Sequence, residues 1–293
     1  MSKKIWLTKA DVKKCLGFAY NFVEPLHRKS HLDFGNKDLP RDEVDRVADA
    51  ALGKLGELAF SKLCAQKGYK INMDFGLHTG RHNTDLGQDI QSIVVDGVPR
   101  VPLLLVDIKT TKSHSHWLLL EKHKYWASVI VMMTANVPKD VEKNLSVFNN
   151  EISCDYKGFA FFSDFFDIEG RPWFEFSQQN KLLKGCTIRK ISEHIQDNVS
   201  PSNLVALKSQ LHQSFAAVKQ SIKHPYIDVK LKCPNQIGLP LDSLRKSDDD
   251  LLSLLSLLSS SSIPAEAHST SVTQASVNLI TALGQLNRSL FKL

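Results

Sequence analysis

The sequence is poor in several features that would each define a class of protein. It has five cysteines, Cys15, Cys64, Cys154, Cys186 and Cys233, which are odd in number, scattered and without a CxxC pair. A disulfide framework and a cysteine-rich zinc knuckle are therefore excluded as organising principles, and a reducing, cytoplasmic home is expected. No apolar run approaches the roughly 20 residues that span a bilayer, so no membrane partner is expected. The opening MSKKIWLTKADVKK is basic but lacks an apolar h-region and a small-residue cleavage site, and does not read as a secretory signal. No internal repeat is visible.

What remains is ordinary globular material: 293 residues, 42% hydrophobic and 23% charged, enough for one large domain or two modest ones. Charge is uneven. A net +6 over the chain and −2 over residues 248–293 leave +8 on residues 1–247. A basic body suits a polyanionic partner, although many cytosolic enzymes are equally basic.

The hydrophobic pattern divides the chain. Residues 1–40 form an N-terminal helical segment, with an amphipathic helix predicted over 8–24 and Thr8 as its N-cap. The spacing of Val44, Val47, Ala48, Ala51, Leu52, Leu55, Leu58, Ala59 and Leu63 predicts a second helix over 42–67, closed by Gly68. The period then changes to strands: KINMDFGL, QDIQSIVVDG and VPRVPLLLVDIKTT, each read as one strand. HWLLLEKHKYWA reads as a helix and SVIVMMTAN as a fully buried strand, so residues 41–195 are expected to be an α/β core with a central mixed sheet and a β extension. A helical region follows over 196–245. The Leu/Ser-rich residues 246–293 read as a low-complexity linker with a short terminal helix.

The chemistry concentrates at LLLVDIKTTK, residues 103–112. An apolar strand excludes a desolvated charge unless it is paired, protonated or bound to a cation. Here Asp107 and Lys109 lie two apart, which puts both on one face of a strand. Asp89 begins the preceding strand after a glycine-containing loop, and hairpin pairing would bring it to Asp107. The segment GKLGELAF places Glu57 on the second helix, with Gly53 and Gly56 allowing close approach to the sheet. Two carboxylates and a backbone carbonyl make an all-oxygen site suited to Mg²⁺, with Mn²⁺ as a substitute.

These residues resemble the PD-(D/E)xK, or restriction-endonuclease-like, nucleases: Glu57 in GxxGE, Asp89 in DLGQDIQ, and Asp107-Ile108-Lys109 as the (D/E)xK element, in family order over about residues 42–135. The resemblance implies a restriction-endonuclease-like fold and a metal-dependent DNA endonuclease that hydrolyses phosphodiesters with metal-activated water, in restriction, anti-phage defence or a mobile element. By position it implies metal ligation by Asp89, Asp107 and the Ile108 carbonyl, a catalytic Lys109, and a Glu57 that binds or orients the metal. It also implies duplex DNA as partner and cutting as a homodimer. Two departures stand out: no proline precedes Asp89, and the (D/E) position is Asp rather than the commoner Glu.

Several residues compete for roles. Asp85 is a rival first ligand, though the apolar Ile90, Ile93, Val94 and Val95 favour Asp89 at the strand start. Lys112, Ser113 and His114 follow the acidic strand where a phosphate backbone would pass, and are candidate DNA contacts. His114, His116, Glu121 and His123 lack the spacing of a helix-borne zinc site. Trp117, Trp126 and Trp173 are expected in the core. The alternatives to a nuclease are a nuclease-fold module that binds nucleic acid without cutting, and a protein-interaction subunit that recruits its partner through residues 245–293.

Overall fold

Both N-terminal helices form where the apolar period places them. The computed structural model of the chain describes residues 3–23, 43–77, 89–113, 115, 117–120, 127–166, 172–176, 182–185 and 236–264. Helix α1 (Lys9–Val23) opens on a reciprocal cap, in which the Asp11 amide donates to Thr8 Oγ1 at 3.3 Å and the Thr8 amide to Asp11 Oδ2 at 2.8 Å. Helix α2 (Glu43–Gln66) buries one long stripe, Val47, Ala48, Ala51, Leu52, Leu55, Ala59 and Leu63. It ends at Gly68, whose φ of +85° a side chain would resist. Lys62 reaches Asp11 at 2.5 Å and ties the two helices together.

The strands are β1 (Lys3–Leu7), β2 (Lys70–Met73), β3 (Ile90–Val95), β4 (Val98–Pro102), β5 (Val106–Lys112), β6 (Trp117–Leu120), β7 (Val129–Ala135), β8 (Ile152–Phe161), β9 (Phe174–Phe176), β10 (Leu182–Gly185), β11 (Gln236–Pro240) and β12 (Ser262–Pro264). They make an α/β structure with a mixed central sheet in the order β1-β8-β7-β5, in which only β5 and β7 run parallel. Two further sheets have the orders β12-β4-β3-β2 and β10-β9-β11-β6. Strand β7 is buried at every position, as its apolar run Val129–Met133 leads one to expect, with Thr134 buried as well. Its alternate residues feed two cores. Val129, Val131, Met133 and Ala135 pack with the helices, and Ile130 and Met132 with β6, β11 and the aromatic 162–174 region.

Three expectations need correcting. Residues 98–111 are not one strand. Asp96 and Gly97, both at positive φ, turn β3 into β4 as a two-residue hairpin, and β5 begins only after a bend at Leu103 and Leu104. Leu103 is half exposed, so the apolar run LLLV is broken by solvent contact. The segment 116–127 is not helical at its start: residues 117–120 are β6, paired with β11 more than a hundred residues later. A partner that remote leaves no trace in local sequence. Residues 121–126 lie outside the described residues.

The third correction concerns the expected linker. Residues 248–260 are helix α3 (Asp248–Ser260), opened by a capping box in which Ser247 and Asp250 exchange hydrogen bonds at 3.0 Å. Leu251, Leu254, Leu255 and Leu258 enter the same core as α1 and α2, while Leu252 and Leu257 stay exposed. The serines occupy the outward face, so the Leu/Ser repetition is an amphipathic helix. Lys3 and Lys67 (the latter at 3.1 Å) hold the Asp248 carboxyl below its usual value and anchor the helix start. Just upstream, Arg245 ion-pairs with Asp164 and its backbone bridges Phe159. This part of the chain thus belongs to the fold. The expected helices over 200–224 and 272–291, with Cys186 and Cys233, lie outside the described residues. No described helix is long and apolar enough to cross a membrane.

The packing of α3 gives a direct prediction. Leu254→Ala should cost about 2–5 kcal/mol of unfolding free energy, as for other buried leucines. Urea unfolding of the full chain measures it, and an unchanged midpoint would return this segment to the status of a linker.

Candidate functional site

Strand β5 forms one end of the mixed sheet, so one of its backbone edges is free of strand partners in that sheet. Its side chains divide strictly. Val106 and Ile108 join the helix-side core, and Thr110 lies against Gly56 of α2. The intervening Asp107 and Lys109 therefore face the opposite side, opposite Ile130 and Met132 of β7. Gly56 makes this packing possible, because a Cβ placed there would stand 1.8 Å from Thr110 Oγ1. At Gly53 a Cβ would meet nothing, so of the two expected close-packing glycines only Gly56 is needed; Gly53 instead offers its carbonyl to Thr110 Oγ1 at 3.4 Å.

Asp89 docks on the free edge of β5. Its amide donates to the Val106 carbonyl at 3.0 Å, and its Oδ2 accepts the Ile108 amide at 2.5 Å. The carboxylate thus stands in for a neighbouring strand, and both Asp89 and Asp107 are buried. A charge-assisted hydrogen bond of this kind contributes about 1.5–3 kcal/mol. In an extended strand the N–H and C=O of one residue point to the same side, so the Ile108 carbonyl is directed along the same edge as the amide that Asp89 binds. Asp89 therefore meets the β5 backbone on either side of Asp107 by edge docking rather than hairpin pairing, since β3 pairs with β2 and β4.

Asp107 and Lys109 form an ion pair, Nζ to Oδ2 at 2.5 Å. That oxygen is sealed from solvent, and the Lys109 ammonium beside it offsets the cost of its burial. The side chain of Lys109 is about one-fifth exposed, so its ammonium lies at the border between the cluster and solvent.

Glu57 is placed differently from expectation. It is buried on α2, the helix that packs on the Val106–Ile108–Thr110 side of β5, and accepts Lys54 Nζ at 2.7 Å. Its carboxylate also contributes, after burial itself, to raising the Cys15 thiol to about 12. Among the described residues no group of three or more His, Cys, Asp or Glu side chains is arranged to hold a metal ion. Alternation along β5 explains this, since Glu57 approaches from the face opposite Asp107. Of the four expected residues, Asp107 and Lys109 pair with one another, Asp89 docks on the backbone that flanks Asp107, and Glu57 accepts Lys54. Lys54 itself went unrecognised in the sequence. The signal for it was a lysine three residues before a glutamate within the apolar stripe of α2.

Of the expected phosphate contacts, Lys112 is turned inward to Glu142 at 2.5 Å and to the Lys139 carbonyl. Burial alone would raise the Glu142 carboxyl, but this lysine holds it below its usual value. An ammonium so engaged is a poor free donor to DNA. Ser113 is exposed, whereas His114 and the rival ligand Asp85 lie outside the described residues. Trp117 and Trp173 are in the core, as expected. No family model, no curated protein and no solved structure matches this chain.

The donor set fits a hard divalent cation. Asp89, Asp107 and the Ile108 carbonyl offer only oxygen, and Mg²⁺ commonly takes one or two carboxylates and completes its shell with water. Asp107, buried beside one ammonium, and Asp89, docked on the backbone that flanks it, are the carboxylates such an ion would take.

The contact that seats β5 can be tested alone. Gly56→Ala should destabilise the fold by about 1–3 kcal/mol through overpacking. Adding Thr110→Ala, which removes Oγ1 and Cγ2 from the clash, should recover part of that loss in thermal melts. Equal melting of wild type and Gly56→Ala would show that the helix and strand are not in close contact.

Proposed function

We propose that the chain is a Mg²⁺-dependent endonuclease acting on duplex DNA, with a core of the restriction-endonuclease type. The observation that carries the reading is the cluster at β5: a buried aspartate docked beside a second buried aspartate, which is itself paired with a lysine at 2.5 Å. The parallel return of β7 beside β5 accords with that fold, and the +8 charge on residues 1–247 accords with a polyanionic substrate. The free, buried Cys15, Cys64 and Cys154 accord with a reducing, cytoplasmic setting.

In this reading Asp89, Asp107 and the Ile108 carbonyl hold Mg²⁺, with Mn²⁺ as a substitute. When bound, the ion supplies Lewis-acid polarisation of the phosphodiester and a lowered pKa for water. The protein's own groups do the rest. The strand fixes Asp107 by burial on both faces of its neighbours, and the Ile108 amide fixes the Asp89 carboxylate, so the donors need no reorganisation on binding. Lys109 has a positive charge at the solvent border. Its ammonium, now paired with Asp107, is the group that would stabilise charge developing on a phosphate oxygen.

The test is Mg²⁺-dependent cleavage of supercoiled plasmid. Asp107→Asn and Lys109→Ala should each lower the rate by about 10²–10³-fold while circular dichroism and melting stay close to wild type. Undiminished cleavage by either variant would remove the assignment. Salt-sensitive retention of DNA by a wild type that cuts nothing with Mg²⁺ or Mn²⁺ would assign the chain to non-cutting binding modules instead.

A further inference from the structure

The fold spends a buried lysine beside this site, and the proposed reaction does not use it. Lys54 on α2 is nine-tenths buried. Its ammonium donates to Glu57 Oε2 at 2.7 Å and to the Asp74 carbonyl at 2.7 Å, and lies over the rings of Phe18 at 4.7 Å and Phe75 at 5.4 Å. A desolvated ammonium is costly, and two charge-assisted hydrogen bonds with two ring faces offset that cost. The same interior packing could be had from an apolar side chain. What an apolar side chain lacks is the grip on Asp74.

Asp74 follows directly on β2 and is the last link before the site. Its amide donates to the Asp89 carbonyl at 2.9 Å. Asp89 in turn donates to Val106 at 3.0 Å and accepts the Ile108 amide at 2.5 Å, one residue on either side of Asp107. A continuous path of hydrogen bonds therefore runs from Glu57 through Lys54, Asp74 and Asp89 to the backbone that flanks Asp107. Every link after Lys54 is short, and Lys54, Asp89 and Asp107 are all buried. The Asp74–Asp89 pair lies one step beyond the last β2–β3 register partners, Met73 and Ile90. Lys54 is the described side chain that fastens the Asp74 carbonyl to α2.

We propose that Lys54 is a positioning residue for Asp89: by holding the Asp74 carbonyl to α2, it keeps the Asp89 carboxylate on the β5 edge in the orientation that a cation requires. Glu57 then serves as the counter-charge that makes a buried Lys54 tolerable, and not as a ligand. The proposal rests on the reading of Asp89 and Asp107 as cation ligands, but its first test does not.

Residue-resolved amide exchange in the full-length, metal-free protein reads the orientation of Asp89 through the Ile108 amide, which donates to it. Lys54→Met should speed exchange at Ile108 by about five- to tenfold more than at Val131 in β7, the weight of roughly one hydrogen bond. Lys54→Arg, which can reach both acceptors, should restore most of the protection. Mn²⁺ titrated calorimetrically should bind Lys54→Met more weakly by a similar factor. Equal acceleration at Ile108 and Val131, or none at either, would overturn the proposal. Should Lys54→Met fail to fold because Glu57 is left as an uncompensated buried charge, the double variant Lys54→Met/Glu57→Gln removes both charges and is judged by the same comparison. The exchange measurement involves no cleavage. Selective loss of Ile108 protection in a protein whose wild type cuts no DNA would retain the positioning role and reject the nuclease reading, and unselective exchange beside metal-dependent cleavage would do the reverse.

Discussion

A single carboxylate joins two sheets at the site. Strand β5 belongs to the mixed sheet and β3 to another, and the residue that spans them is Asp89, which accepts the Ile108 amide while its own amide reaches Val106. Without that docking the edge of β5 would present unsatisfied backbone groups in a region that burial closes to water. The acid of one sheet therefore satisfies the edge of another, and in doing so comes to rest beside Asp107. Structure and proposed chemistry draw on the same contact.

The balance of charge around this contact follows from burial. Asp89 is held by the Ile108 amide, Glu57 by Lys54, and Asp107 by Lys109. These are different solutions to the same desolvation cost. Asp107 sits between the two residues whose backbone groups hold Asp89, and that adjacency is the physical reason for proposing one ligand for both carboxylates.

Much of this was legible in the sequence. The period of the apolar residues gave α1 and α2 nearly to the residue, and the apolar run at 129–133 gave β7. Asp107 and Lys109 share a face because alternation in a strand admits nothing else. Other features were out of reach. Hairpin spacing suggested that Asp89 meets Asp107, but the sequence held no sign that the meeting would occur across a sheet edge, since Asp96-Gly97 sends β3 back as β4 instead. Glu57 looked convergent because helix spacing says where a residue lies on its helix and not which face of a strand that helix covers; the Gly56–Thr110 contact decides this. The Leu/Ser stretch misled because low complexity was weighed above its helical period, and β6 because its partner is remote. For Asp89, Glu57 and β6 a long-range contact decided what local pattern could not.

The central claim is that Asp89 and Asp107 together hold one divalent cation. Calorimetric titration of Mn²⁺ into the full-length protein tests it most directly, with Asp107→Asn as the matched variant, since the amide preserves shape and removes the anionic oxygen. One site per chain, lost in Asp107→Asn while the melting profile is retained, is the predicted result. Mn²⁺ binding of equal affinity in wild type and Asp107→Asn, or no binding by the folded wild type, would contradict it.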